Sequence, residues 1–227
     1  MQLKPLTQGR YSQEWQSDYP LVERVLLSCV SEQRRFAPGE ALMQQGQKLN
    51  QLVLVPSGKI AMSYSARNGR NFQLGTLKCD SQLFGEMEFF TQYPCQLDIL
   101  AETTLTCGII PADKLQQALG EHPRLALFFA SAIAIDYQDT VDIFTRRMLY
   151  PISYNIAYDL YHQQLDDLPV SGFNKGYLEA ERFGTTARVY RRAIQSLEDA
   201  GLVRRSKGKL EIMDLKALQD FVEQGEL

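Results

Sequence analysis

Residues 178–208 have the sequence LEAERFGTTARVYRRAIQSLEDAGLVRRSKG, which predicts two helices joined by a tight turn and followed by a short hairpin. Gly184 lies between the two helical runs, where the turn needs a residue that tolerates positive φ. Thr185 or Thr186 can cap the second helix. Its apolar residues recur at helical spacing, at Val189, Ala193, Ile194 and Leu197. The segments LVRR and KLEI, on either side of residues 206–208, complete the pattern of a winged helix-turn-helix.

The same stretch concentrates positive charge. From Arg182 to Lys209 there are eight basic and two acidic residues, a local charge of +6 in a chain whose formal net charge is −3. Most charge runs are solvated helix surfaces, but the start of the second helix in a helix-turn-helix reaches base edges in the major groove. Arginine can donate two hydrogen bonds to guanine or to phosphate there. The candidate DNA-binding residues are Thr186, Ala187, Arg188, Arg191, Arg192, Lys207 and Lys209.

The composition is that of an ordinary globular protein with one or two domains. The chain has 227 residues, of which 44% are hydrophobic and 22% are charged, and this length is sufficient for a substantial core. It contains no run of 18 apolar residues, and its N-terminus lacks the apolar centre of a secretory signal. We therefore expect a cytoplasmic protein without membrane contact. Residues 1–17 are expected to form a disordered or loosely ordered lead-in.

Cysteines and histidines show no spacing typical of metal ligands. The cysteines lie far apart in the sequence, at Cys29, Cys79, Cys95 and Cys107. The absence of a C-x-x-C pair argues against structural zinc and against a disulfide framework. We expect no cofactor, while an iron–sulfur cluster and haem stay open as alternatives. We also expect no enzyme, since the sequence has no paired catalytic carboxylates, nucleophile elbow or phosphate-binding glycine loop.

The segment before residue 111 is rich in short strands. After a helical pattern at residues 18–32, β-rich runs alternate with turns that contain glycine or proline, such as Asn68-Gly69. Regular short strands with this punctuation favour a compact β-roll, which we place at residues 18–123.

A long helix follows, over residues 124–150. Its apolar positions step by three or four residues, at Ala126, Ala130, Ile133, Tyr137, Val141, Phe144 and Met148. Such a stripe either pairs with a second copy of itself or is buried within its own chain, and the pattern alone does not decide between these. Pro151 ends or kinks the helix and separates it from a C-terminal domain at residues 151–227.

Four motifs, in this order, resemble the Crp/Fnr superfamily of bacterial transcription regulators. They are FAPGEALMQQGQ (36–47), VPSGKIAM (55–62), FGEMEFF (84–90) and FGTTARVYRRAIQSLEDAGLV (183–203). The Thr-Thr-x-Arg start of the second helix is most similar to the YeiL-type branch. The resemblance implies an α+β fold: an N-terminal cyclic-nucleotide-binding-type β-roll, a long dimerisation helix and a C-terminal winged helix-turn-helix.

The resemblance implies a homodimeric, sequence-specific regulator on a palindromic DNA site. In this family the long helix pairs with its twin, which sets two recognition helices about 34 Å apart, one turn of DNA. Double-stranded DNA and a second copy of the chain are the expected partners, and RNA polymerase is a further candidate. Arg188 stands where the family often has glutamate, so the operator sequence of better-known members does not transfer.

The resemblance also implies a degenerate effector domain. Nucleotide-binding members have a cassette that starts with F-G-E and continues to Arg-Ser or Arg-Thr, in which the glutamate binds ribose and the arginine binds the cyclic phosphate. Glu86 matches, but the arginine position falls on Cys95 or Gln96. Without a cation for the phosphate, cyclic AMP is not expected to bind. The candidate effector pocket is Glu86, Cys95 and Gln96.

Three questions stay open at this point. The basic helix could contact a protein partner instead of DNA. Cys95 could act as a redox-sensing thiol if its surroundings lowered its pKa. In the first helix of the helix-turn-helix, Glu179 stands where an apolar core residue is usual, so either the register is off by one or Leu178 packs there instead.

Overall fold

The computed structural model describes residues 1–165, 172, 176–206 and 209–225. The chain forms two compact units: one comprises Met1–Ala61 and Lys78–Thr140, and the other comprises Met62–Leu77 and Val141–Leu227. The helices are α1 (Ser12–Ser28), α2 (Glu86–Thr91), α3 (Ala112–Glu121), α4 (Pro123–Leu149), α5 (Ile152–Gln164), α6 (Gly176–Arg182), α7 (Ala187–Asp199) and α8 (Leu215–Gln224). The strands are β1 (Glu32–Phe36), β2 (Ala41–Met43), β3 (Gln51–Ser65), β4 (Asn71–Phe84), β5 (Asp98–Ala101), β6 (Leu105–Pro111), β7 (Val203–Ser206) and β8 (Lys209–Ile212).

A six-stranded sheet forms the predicted β-roll. The strand order is β1-β6-β3-β5-β2, and β4 pairs with β3 across the turn that contains Asn68-Gly69. Strand β3 is central, and it is buried at four successive positions, residues 52–55, because both of its faces are covered there. The core of the first unit contains side chains of β3, β4 and β6 together with α1, α3 and the first half of α4. The predicted α+β class is confirmed.

The first residues of the chain differ from the expected loose lead-in. The side chains of Met1 and Leu3 are buried in the core of the first unit. Their backbone pairs with the end of β4: the Leu3 N–H donates to the carbonyl of Ser81 at 2.8 Å, and the Leu83 N–H donates to the carbonyl of Met1 at 2.9 Å. A few apolar residues at alternating positions are sufficient for this pairing, although the segment is polar on average.

Helix α4 ends at Leu149, close to the predicted break at Pro151. Pro151 is the N-cap residue of the next helix, α5. The buried side chains of α4 lie in its first half, at Leu125, Phe128, Phe129 and Ala132. The predicted apolar stripe lies elsewhere on the helix: Ile133 is half-buried, and Ala126, Ala130, Tyr137, Val141, Phe144 and Met148 are exposed. The alternative that the stripe is buried within its own chain is therefore wrong. Within the described residues no helix, α4 included, combines the length and the apolar character that crossing a bilayer requires.

The winged helix-turn-helix lies in the second unit. Helices α6 and α7 are joined by a short turn, β7 and β8 pair as an antiparallel hairpin, and α5 and α8 pack around the same core. The buried apolar residues of this core are Tyr154, Ile156, Ala157, Ala180, Tyr190, Ile194, Leu197, Leu202, Val203, Leu218, Phe221 and Val222. This core fixes α7, the second helix of the motif, relative to the hairpin, which we call the wing.

Candidate nucleic-acid interface

The turn before α7 has the geometry that its sequence predicts. Gly184 has φ +61°, in the left-handed region that glycine adopts readily. Thr186 is extended and is the N-cap residue of α7, and its hydroxyl accepts the backbone N–H of Val189 at 3.4 Å. The sequence left either threonine as the cap, and the structure assigns the cap to Thr186.

Helix α7 has one buried face and one exposed basic face. Tyr190, Ile194 and Leu197 are buried. Val189, which the sequence pattern placed in the apolar stripe, is 42% exposed. Tyr190 takes its place, and its ring stacks on that of Phe183 with centroids 5.9 Å apart. The aliphatic pattern is wrong at Val189 because the burial of α7 depends on the aromatic side chain of Tyr190.

The exposed face of α7 carries the predicted arginines. Arg188, Arg191 and Arg192 are all exposed, as are Thr186 and Ala187 at the start of the helix. Among the described residues none of the three arginines has an acidic partner within ion-pair distance. The Arg191 Nε–H donates to the carbonyl of Ala187 at 3.2 Å, which holds the stem of this side chain along the helix. Three cations therefore face solvent on one side of α7.

The wing contributes a second set of basic residues. Lys209 is exposed at the start of β8, whereas Lys207 lies outside the described residues. Arg204 pairs with Glu211 across the hairpin, with Nη2 and Oε2 2.8 Å apart. Arg205 pairs with Glu198 of α7 at 3.0 Å. The wing arginines, which were not among the candidate residues, thus differ from those of α7 in having carboxylate partners.

Arg182 does not belong to the basic surface that the sequence predicts. It is buried, and its guanidinium lies 2.5 Å from Asp159 Oδ2 and 2.9 Å from Glu179 Oε2. Burial lowers the pKa of Arg182, but the two carboxylates more than offset this and leave its pKa above the ordinary value. Arg146 joins the cluster, 3.3 Å from Asp159 Oδ1. Arg182 therefore has a structural role within the domain.

The same cluster explains the unusual position of Glu179. Its side chain is largely buried against Arg182, so an ion pair occupies the place where an apolar contact is usual. Leu178 is only half-buried, and Ala180 is the buried apolar residue of α6. The explanation that Leu178 packs there is therefore wrong. Ala180 lies one position beyond Glu179, as the explanation by a register shift of one residue requires, and Glu179 itself packs inward as part of a charged pair.

Comparison with known proteins agrees with this architecture. Residues 33–122 match the cyclic nucleotide-binding domain family. A putative transcriptional regulator of the Crp/Fnr family from Eubacterium rectale superposes with a TM-score of 0.69 at 18% identity, covering 92% of this chain and 97% of that one. The chain has the fold of the Crp/Fnr regulators.

Two further solved structures superpose over most of their length. CLP of Xanthomonas campestris, described as a c-di-GMP-responsive global regulator, has a TM-score of 0.67 at 17% identity, covering 86% of this chain and 99% of that one. FixK2 of Bradyrhizobium japonicum has a TM-score of 0.64 at 13% identity, covering 83% and 96%. No curated protein sequence matches the chain significantly. At these identities the likeness establishes the Crp/Fnr fold.

The cassette of this Crp/Fnr fold holds Glu86 in a buried position. Gly85, with φ +95°, precedes α2, and Glu86 is the first residue of that helix. The Glu86 carboxylate accepts a hydrogen bond from the N-terminal ammonium of Met1 at 2.8 Å, and the same ammonium donates to the carbonyl of Leu83 at 2.8 Å. The carboxylate that the resemblance assigns to ribose thus has a partner within the chain itself.

Cys95 and Gln96, at the predicted arginine position, have opposite environments. Cys95 is buried and its thiol donates to the carbonyl of Leu97 at 3.3 Å, whereas Gln96 is exposed. Burial raises the pKa of the Cys95 thiol to about 11. The redox interpretation required a lowered pKa, and this condition is not met. Within the described residues, no group of three or more histidine, cysteine, aspartate or glutamate side chains could hold a metal ion.

Proposed function

We propose that the protein is a sequence-specific DNA-binding transcription regulator that acts as a homodimer on a palindromic site. The observation that carries this proposal is the exposed arginine face of α7, whose three cations have no acidic partner among the described residues. The winged helix-turn-helix supports it, because the second helix of such a motif enters the major groove of DNA. We further propose that the effector domain does not bind cyclic AMP.

The unpaired arginines favour a polyanionic ligand. Arg188 lies in the first turn of α7, from which side chains of a recognition helix reach base edges. Arg191 and Arg192 follow on the exposed face, where guanidinium groups can contact phosphates or guanine. Each phosphate that such a group neutralises releases a counterion, so DNA binding should weaken steeply with salt. The Thr186 hydroxyl is engaged in capping α7, so the arginines are the side chains that remain available to DNA near the start of this helix.

The exposed stripe of α4 supports the homodimer. Tyr137, Phe144 and Met148 are 67%, 62% and 65% exposed. Large apolar side chains aligned on one face of a long helix mark an interaction surface, and a matching helix from a second copy buries them with ridges fitting grooves. A two-fold dimer would present two α7 helices to successive major grooves about 34 Å apart. We therefore propose the stripe Ala126, Ala130, Ile133, Tyr137, Val141, Phe144 and Met148 as the dimer interface.

The cassette argues against cyclic AMP as an effector. The position that would hold the phosphate-binding arginine carries a buried neutral thiol, Cys95, or the exposed amide of Gln96. Charge-assisted bonds are the strong contacts in such a site, and neither residue supplies one. Isothermal titration with cyclic AMP should give no heat of binding and leave DNA affinity unchanged.

Fluorescence anisotropy tests the DNA-binding proposal. A palindrome is first selected from a random duplex library with the full-length protein, and Arg188→Ala is then compared with wild type. The variant should bind about 1–3 kcal/mol more weakly and lose preference at one base position per half-site. Lys114→Ala, which removes one exposed charge from the first unit, serves as the control and should bind as wild type does. Unchanged binding by Arg188→Ala would contradict the assignment, and a wild-type protein without salt-sensitive DNA binding would favour a protein partner for α7.

A further inference from the structure

The basic residues of the α7 and wing surface fall into two electrostatic groups. The α7 arginines have no acidic partner among the described residues, whereas both wing arginines are neutralised by a carboxylate. Arg204 has Glu211 at 2.8 Å, and Arg205 has Glu198 at 3.0 Å. While these two ion pairs persist, Arg204 and Arg205 offer DNA less positive charge than a count of basic residues in the wing suggests.

Glu211 lies opposite Arg204 in the wing. The two residues are Cα partners in the β7–β8 register, so their side chains lie on the same face of the hairpin. The hydrogen bond that Arg204 donates lowers the pKa of Glu211, and a hydrogen bond from Ser206 lowers it further. Glu211 is therefore ionised at neutral pH. Both side chains are exposed, and exposed ion pairs are weak enough to exchange partners readily.

Glu198 joins the wing to the recognition helix. It lies in the last turn of α7, and its Oε1 accepts the backbone N–H of Arg205 at 2.9 Å while its Oε2 pairs with the Arg205 guanidinium. The guanidinium also donates to the carbonyl of Arg191 at 3.4 Å. Arg205 is thus held beside the exposed face of α7 by a carboxylate that also binds the wing backbone.

We propose that Glu198 and Glu211 act as internal competitors of DNA phosphate and thereby make DNA binding selective. This inference rests on the proposed DNA-binding function. A carboxylate and a phosphate offer an arginine the same kind of anionic, two-oxygen partner, so the wing arginines can bind phosphate only by leaving their glutamates. A fully docked α7 brings phosphates close to the wing and drives this exchange. A loosely placed, non-specific duplex does not, and there the arginines stay paired.

Removing the negative charge of Glu198 or of Glu211 should therefore strengthen non-specific DNA binding more than binding to the selected palindrome. Non-specific affinity follows the number of neutralised phosphates, with a salt slope of about −0.9 for each on duplex DNA. Glu211→Gln frees Arg204 and should steepen the slope on a scrambled duplex by about 0.9, which is roughly a tenfold gain in affinity at 0.1 M salt. Glu198→Gln should do the same for Arg205, because its amide oxygen can still accept the Arg205 N–H and preserve the position of the wing.

The affinity for the selected palindrome should rise less, since both arginines are already bound to phosphate in that complex. The ratio of specific to non-specific affinity should consequently fall in each variant. Anisotropy titrations of the full-length protein on the palindrome and on a scrambled duplex of the same length, at several salt concentrations, measure both quantities.

Asp199→Asn provides a matched control. Asp199 neighbours Glu198 on α7, the substitution changes the net charge by the same amount, and its carboxylate accepts a hydrogen bond from Gln195 rather than from an arginine. The control should leave the salt slope within error of wild type. An equal steepening in Asp199→Asn would overturn the proposal, since it would reveal only a general charge effect.

The remaining outcomes separate this inference from the function on which it rests. Wild-type slopes in both glutamine variants, or weaker binding on both duplexes, would overturn the competition proposal while leaving DNA binding intact. A wild-type protein that binds neither duplex in a salt-sensitive way would overturn the proposed function itself and this inference with it. Circular dichroism of each variant establishes that the fold is retained.

Discussion

At the scale of single residues, the buried charges around Arg182 determine how the DNA-binding domain is held together. Arg182 connects Asp159 of α5 with Glu179 of its own helix, and all three side chains are largely removed from solvent. A buried pair of this kind contributes little compared with an apolar contact, but the loss of one partner leaves an uncompensated charge. The cluster therefore makes the domain sensitive to single substitutions that a surface charge would tolerate.

Asp159→Asn tests this sensitivity. The substitution leaves Arg182 and Arg146 without their shared carboxylate, and we expect the free energy of unfolding to fall by about 3–5 kcal/mol. Urea unfolding followed by circular dichroism measures the change. Asp220→Asn, an exposed aspartate on α8, is the control and should stay within about 0.5 kcal/mol of wild type. An Asp159→Asn variant as stable as the control would show that the cluster is dispensable.

The raised pKa of the buried Cys95 thiol predicts that this residue reacts slowly at neutral pH. A thiol with a pKa of about 11 is protonated at neutral pH, and its reactive thiolate becomes abundant only as the pH rises towards 11. Peroxide treatment at pH 7 should therefore leave DNA affinity unchanged, and alkylation of Cys95 in the native protein should accelerate as the pH is raised. Mass spectrometry after timed iodoacetamide labelling measures this rate, with the urea-unfolded protein as reference. Rapid labelling at pH 7 in the native state would contradict the buried environment.

At the scale of secondary structure, α7 shows how precisely local chemistry sets a helix start. Thr186 caps the helix through its hydroxyl, while Thr185 contributes its backbone N–H to the carbonyl of Ala180. Thr186→Ala should lower the free energy of unfolding by about 0.5–2 kcal/mol, and Thr186→Ser should restore most of it. Thr185→Ala, at the neighbouring position, should have a smaller effect. Thermal unfolding of the three variants measures these differences, and equal losses at both threonines would contradict the cap assignment.

The elements that the sequence predicts well are those whose signals are local. The Gly184 turn, the Pro151 helix break and the Asn68-Gly69 hairpin depend on a few neighbouring residues, and all three are present as expected. The burial of Arg182 depends on Asp159, which lies on another helix 23 residues earlier in the chain. No periodicity within α6 indicates such a partner.

The same distinction applies to the first residues of the chain and to α7. The segment that begins at Met1 is polar on average, yet it pairs with β4, from which it is separated by some eighty residues. In α7 the aliphatic pattern placed Val189 inside, but the larger apolar area of Tyr190 determines which face is buried. The ion pair between Arg204 and Glu211 is likewise invisible in a count of charges from Arg182 to Lys209, because Glu211 lies beyond that stretch.

At the scale of the whole molecule, the dimer connects the α4 stripe with DNA affinity. Phe144→Glu places a charge in the proposed apolar interface, where it would have no partner and would cost several kcal/mol on association. We expect this variant to be monomeric in analytical ultracentrifugation at micromolar concentration, with the second unit still folded. A monomer contacts one half-site at a time, so its affinity for the palindrome should fall to that for an isolated half-site, and its salt slope should fall by about half.

Asp142→Ala is the control for this experiment, because Asp142 is exposed on α4 but lies off the stripe. It should remain dimeric and bind the palindrome as wild type does. A Phe144→Glu protein that stays dimeric would contradict the interface, whereas a monomer with unchanged affinity and slope would contradict the use of two α7 helices on one site. Since the stripe and the basic face belong to different helices, only a two-fold assembly predicts that one substitution on α4 halves the number of phosphates contacted by α7.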